Sequence, residues 1–163
     1  MYLEELNGLD EPTAAREFLR CCGSTAWTRQ MAASRPFAGL ESMMRTSDTI
    51  WVSLQRPDWL EAFAAHPRIG DATPAPAAAN WAAHEQSGVG GAQKEILHRL
   101  AEGNRAYEAR FGYIFIVCAT GRSAAEMLAI LEQRLTNGSD RELHIAAEEQ
   151  RKITRLRLTK LLT

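Results

Sequence analysis

The 163-residue sequence predicts an all-α fold, a single-domain helical bundle of about seven to nine helices over residues 1–163. Three observations carry this expectation. Apolar residues recur at spacings of 3 and 4 along most of the chain, the runs break at proline and glycine, and only the segment 111–119 has the composition of a β-strand. A lone strand has no partner for its edges, so 111–119 is expected as a buried extended or irregular link between helices. At roughly 100–200 residues per domain, the length fits one domain with one core.

Asp10 with Pro12 two residues later is a helix start, and Ala14, Phe18, Leu19 and Cys22 continue the run until Gly23. A second helix starts at Ser24 and carries Trp27 and Met31. Beyond the break at Pro36 and Gly39, Leu40, Met43, Met44, Ile50, Trp51 and Leu54 fit one longer helix. Pro57 opens another, over 58–65, which closes at His66-Pro67. The residue before a proline is pushed out of the helical region, so His66 is expected at a helix end with its ring projecting from the junction. Residues 72–79, with Pro74 and Pro76, read as an exposed loop leading to a short helix with Trp81, Glu85 and Gln86. Gly88, Gly90 and Gly91 end that helix. The clearest amphipathic helix is 93–110, with Ile96, Leu97, Leu100 and Tyr107 in register, and two further helices, 123–135 and 140–162, are separated by Asn137-Gly138.

Hydrophobic residues at 45% and charged residues at 24% match an ordinary globular chain and exclude a disordered one. Lys plus Arg (19) against Asp plus Glu (20) leaves a net charge of -1, so no overall field draws the protein to nucleic acid or an anionic membrane. The longest strongly apolar run, 114–120, is far shorter than the ~20 residues of a spanning helix, and the N-terminus has no basic region with an apolar core, so a cytoplasmic location is expected. Adjacent Cys21 and Cys22 have neither redox nor zinc-site spacing and are expected as reduced thiols. His66, His84, His98 and His144 form no HExxH pair and no Cys/His cluster, so no metal site is expected.

The most informative string is His66-Pro67-Arg68-Ile69-Gly70-Asp71. A histidine at a helix C-terminus feels the negative end of the dipole, which favours the imidazolium and suits a proton donor. A helix cap followed by a proline stop would produce the same string. Glu85 and Gln86 stand just before a glycine-rich break. One could orient an imidazole while the other binds a carbonyl or urea group, or both could belong to a solvated helix end. Leu143, Ala146, Gln150, Ile153, Arg157 and Leu161 would share one face of the last helix. Arg157 on that stripe either snorkels to solvent or binds a carboxylate. Arg151, Lys152, Arg155 and Lys160 are expected on a solvated face.

The ordered combination of HPRIGD at 66–71, EQSG at 85–88, Asn104, Tyr107, RFGYIFIVCATGR at 110–122, Arg134-Leu135-Thr136-Asn137 and Glu142-Leu143 resembles one known family. Arg35-Pro36-Phe37, Asp58-Trp59 and Phe63 fit it as well. The family is the 2-oxo-4-hydroxy-4-carboxy-5-ureidoimidazoline (OHCU) decarboxylases of urate degradation, and the resemblance covers nearly the whole chain. It implies an all-helical enzyme, free of cofactors and metals and commonly a homodimer, which decarboxylates a small unstable substrate to (S)-allantoin. By the same resemblance, His66 falls on the catalytic histidine, Glu85 on its partner carboxylate, and Pro67 and Gln86 on pocket positions. Arg157 falls on an arginine near the bound ligand, and Phe115, Ile116, Val117, Cys118 and Ala119 on a stretch whose backbone amides contact the substrate. The resemblance also implies a hydroxyl three residues before the glutamate, where this chain has Ala82, so contacts there would come from the backbone of Ala82, Ala83 and His84. Two other classes use the same residues differently. In a metal-dependent hydrolase His66, His84 and Glu85 would share a metal, and in a non-catalytic helical binding module Arg157 and 115–119 would form the interface.

Overall fold

A computed structural model describes residues 1–69 and 94–163. The expected loop over 72–79, the short helix with Trp81, and the candidate residues Ala82, Ala83, His84, Glu85 and Gln86 lie outside the described residues. Among the described residues there are eight helices: α1 (Leu3–Gly8), α2 (Glu11–Cys21), α3 (Thr25–Ala33), α4 (Leu40–Ser53), α5 (Arg56–Ala64), α6 (Lys94–Phe111), α7 (Ala124–Arg134) and α8 (Ser139–Leu161). The all-α expectation holds, and no strand occurs among the described residues. Two compact units are formed: residues 1–65 with 151–163, and residues 66–150.

In the first unit the helix starts follow from local chemistry. The Asp10 carboxylate accepts from the Thr13 N–H at 2.9 Å, and the Ser24 hydroxyl accepts from the Trp27 N–H at 3.3 Å, so each satisfies an amide that the first turn leaves without a partner. The bond from Thr13 also holds the Asp10 carboxyl below its usual range. Apolar stripes from α2, α3, α4 and α5 bury Phe18, Trp27, Met31, Met43, Trp51 and Phe63. Phe18 meets Trp27 and Phe37 edge to face at 6.0 and 6.2 Å, the arrangement ring quadrupoles prefer. The short α1 has no counterpart in the sequence expectation. Its residues hold one buried side chain, Leu6, and tertiary bonds fix them. Arg35 Nη1 donates to the carbonyls of Leu6 and Leu9 at 2.7 Å each, while Asn7 exchanges two bonds of 2.9 Å with the backbone of Phe37.

Gly23 ends the α2 run at a close approach: a Cβ there would lie 2.3 Å from the Ala65 Cβ. Both atoms would be fixed to backbone, so relief requires a main-chain shift. Gly23→Ala is expected to lower stability by about 1–3 kcal/mol, the usual cost of overpacking, read as a fall in the urea midpoint at unchanged slope.

The last helix corrects one expectation about charge. Arg151 and Arg155 are not simply solvated, because both donate to Asp48 Oδ2 of α4, at 3.0 and 2.7 Å. At a spacing of four residues their side chains project from adjacent turns of one helix face, and a single carboxylate spans them. The buried thiols behave as expected for inert cysteines. Burial pushes both Cys21 and Cys22 upward, Cys22 to about 11, so each stays protonated.

In the second unit α6 buries Leu100, Asn104, Tyr107 and Phe111 along one face. Gly112, at φ 83°, takes the left-handed conformation that turns the chain out of α6, and its N–H closes the helix on the Glu108 carbonyl at 2.9 Å. The segment that follows is the buried, non-helical link expected, with Phe115, Ile116, Val117 and Ala119 buried. Ser123 caps α7 by accepting from the Glu126 N–H at 3.1 Å.

Candidate active site

His66 follows the C-terminal turn of α5, which ends at Ala64 with Ala65 as its cap. The ring is half-buried and is hydrogen-bonded through Nε2 to Gln150 Oε1 of α8 at 2.6 Å. The junction residues after it are tied to α6. Arg68 donates two parallel bonds to the Glu108 carboxylate, at 2.8 and 2.7 Å, and Asn104 Nδ2 donates to the Ile69 carbonyl at 3.1 Å. Pro67, half-buried, lies between these anchors. The string HPRI is therefore more than a cap and a stop: side chains from α6 and α8 hold the backbone and ring that the proline has turned out of α5.

The link 115–119 is held by a buried polar cluster. Glu142, fully buried, accepts at Oε1 from Arg134 Nε at 2.7 Å and from the Tyr107 hydroxyl at 2.5 Å, and at Oε2 from Asn137 Nδ2 at 2.9 Å. Arg134 also donates to the Ile116 carbonyl and stacks over the Phe115 ring at 4.7 Å. Burial first, then the bond to Glu142, push the Tyr107 hydroxyl above its usual range, so it remains a donor. The cluster thereby gives the Ile116 carbonyl of this irregular link a partner that no ladder supplies. Further along, the Cys118 N–H donates to Glu149 Oε1 at 3.4 Å. One of the five candidate amides thus already faces a carboxylate from α8.

Arg157 is 2% exposed. That removes the snorkelling alternative, and its positive charge works against the upward push of burial on both Cys21 and Cys22. All six residues of the expected stripe, Leu143, Ala146, Gln150, Ile153, Arg157 and Leu161, are buried. Of the candidate residues, His66, Pro67 and 115–119 belong to the second unit, whereas Arg157 belongs to the first. Glu85, Gln86 and 82–84 lie outside the described residues. Gln150 was visible in the sequence only as a polar member of an apolar stripe, and Glu142 and Arg134 only as motif letters. Among the described residues no group of three His, Cys, Asp or Glu side chains is placed to hold a metal ion.

In an all-α scaffold, a histidine seated at a helix end and bonded by a buried amide is a group able to exchange a proton. The OHCU decarboxylase family model matches residues 7–159, and the chain belongs to that family. It is 41% identical over 150 residues to the uric acid degradation bifunctional protein TTL of Arabidopsis thaliana, covering 89% of this chain and 46% of that protein. It therefore spans about half the length of that relative. A 2-oxo-4-hydroxy-4-carboxy-5-ureidoimidazoline decarboxylase of Haloferax volcanii is 26% identical over 159 residues, covering 96% of this chain and 93% of its own. Among solved structures, a crystal structure of an OHCU decarboxylase in the presence of (S)-allantoin superimposes with a TM-score of 0.81 at 42% identity, covering 90% of this chain and 97% of that one.

Proposed function

We propose that this chain decarboxylates OHCU to (S)-allantoin and CO2 in urate degradation, as a cytoplasmic homodimer without a metal or organic cofactor. The observation that carries the reading is the seating of His66 just beyond the end of α5 with its ring bonded to Gln150 at 2.6 Å, in a chain of this family. Breaking the bond to the carboxylate carbon releases CO2 and leaves an electron pair on the ring carbon. The imidazoline C=N beside that carbon takes up the pair, so the electron sink belongs to the substrate. The protein orients the carboxylate, polarises the ring and ureido groups, and delivers a proton to one face.

In this reading His66 transfers the proton and Glu85 orients it while contacting the substrate's hydroxyl or N–H groups. Gln86 and the backbone amides of 115–119 bind the substrate's amide functions, Pro67 and the backbone of Ala82, Ala83 and His84 line the pocket, and Arg157 binds an anionic group or carbonyl. An arginine fork can make two parallel charge-assisted bonds that a lysine cannot reproduce. Losing one such bond costs about 1.5–3 kcal/mol, so Arg157→Lys is expected to lower kcat/KM by about one to two orders of magnitude with little change in melting temperature. A near-wild-type lysine variant would assign the anion to another group.

The test of the reaction is the decay of OHCU generated in situ from urate by the two upstream activities, followed with and without the chain. Faster decay that survives exhaustive chelation is expected. Loss of activity on chelation with recovery by zinc or manganese would replace the substrate-borne electron sink with a metal.

A further inference from the structure

We infer that Gln150 is a positioning residue for His66, setting the tautomer and the aim of the ring so that the proton is exchanged at Nδ1. The inference rests on the proposed reaction for its kinetic consequence and on the geometry alone for the tautomer. An amide oxygen only accepts hydrogen bonds, so the 2.6 Å contact between Gln150 Oε1 and His66 Nε2 requires the proton on Nε2. The neutral ring protonated at Nε2 and the imidazolium both present that N–H. The bond to Gln150 therefore persists in either protonation state, and the proton that comes and goes is the one on Nδ1.

The amide suits this task better than a water or a surface side chain would. Gln150 is 0% exposed on α8, a helix of 23 residues, and its neighbours one turn earlier, Ala146 and Ala147, are buried with it. Little rotamer freedom remains to be lost when the bond forms. Its partner lies 84 residues away in the chain, at a junction itself pinned by Arg68 to Glu108 and by Asn104 to the Ile69 carbonyl. Both ends of the bond are thus fixed before any substrate arrives.

The tautomer is read directly from the ring nitrogens of 15N-histidine-labelled full-length protein, without substrate, in the deprotonated form of the ring. The His66 signals are assigned by their loss in His66→Asn. The expected wild-type ring carries its proton on Nε2. Gln150→Leu, which keeps the bulk and removes the acceptor, is expected to abolish that preference and to lower kcat on OHCU by about 10–100-fold while KM stays within about threefold. Gln150→Glu, which can only accept, is expected to keep Nε2 protonated and to retain kcat within about tenfold of wild type. A wild-type ring protonated on Nδ1 overturns the inference, as does a folded Gln150→Leu protein in which either the tautomer or kcat is unchanged. The wild-type spectrum needs no variant, so the tautomer is decided even if Gln150→Leu does not fold. Because that spectrum is recorded without substrate, a wild-type chain that fails to accelerate decarboxylation overturns the proposed reaction separately.

Discussion

His66→Asn is expected to lower kcat on OHCU by about 10²–10⁴-fold, the usual worth of a positioned proton-transfer group, while the helical fold survives. The two effects separate because of where the ring sits. His66 is half-buried beyond the end of α5 and takes no part in an apolar stripe, so its removal opens no large cavity. Its structural cost includes the bond with Gln150 at 2.6 Å. One hydrogen bond is worth about 0.5–1.5 kcal/mol, and for a chain of this size each kcal/mol moves the melting temperature by about 2–4 °C. A shift of a few degrees with an unchanged circular dichroism spectrum is therefore expected beside the kinetic collapse. Loss of helical signal in step with activity would mean that the ring serves as a helix cap and that the proton donor lies elsewhere.

The largest effect on stability is expected from Glu142→Ala. The Glu142 carboxylate is fully buried and receives Arg134, Tyr107 and Asn137, and Arg134 itself is only 5% exposed. Removing the carboxylate leaves a guanidinium in the core with its charge uncompensated, a loss of about 3–5 kcal/mol. At about 2–4 °C per kcal/mol the melting temperature should fall by roughly 6–20 °C. Arg134 also donates to the Ile116 carbonyl, so any protein that remains folded should exchange the amide protons of 115–119 faster. A melting temperature within 3 °C or so of wild type would show that the cluster does not hold the link in place.

Much of the helical layout could be read from the sequence because it depends on neighbours in the chain. Asp10, Ser24 and Ser123 each cap a helix by bonding an amide three residues on, and such local chemistry leaves a local signature. Helix α1 left little beyond the Glu5 carboxylate that accepts from the Tyr2 N–H at 2.6 Å, since Arg35 and Asn7 hold it through bonds that span about 30 residues. The site divides in the same way. Periodicity put Arg157 on the buried stripe of α8, yet period alone does not tell an arginine that lies under neighbouring helices from one that reaches past them. Burial settled that question. The partner of His66 is 84 residues distant and the shared partner of Arg151 and Arg155 more than 100, separations at which a single sequence has no pattern to offer. The motif letters Arg134, Asn137 and Glu142 were quoted for the resemblance, and their physical task emerged only when they were seen to converge on the irregular link after Tyr113.

In the proposed reaction, delivery of a proton to one face of the decarboxylated ring is the step that the protein controls. It is tested most directly by the chirality of the product. OHCU is generated in situ from urate, the chain is added, and the circular dichroism of the allantoin is followed as it forms. A persistent signal of the (S) enantiomer is expected with the wild-type chain, and slow formation of racemate with His66→Asn. Racemic allantoin from the wild-type chain, or an (S) signal of equal size and rate from the variant, would contradict the account.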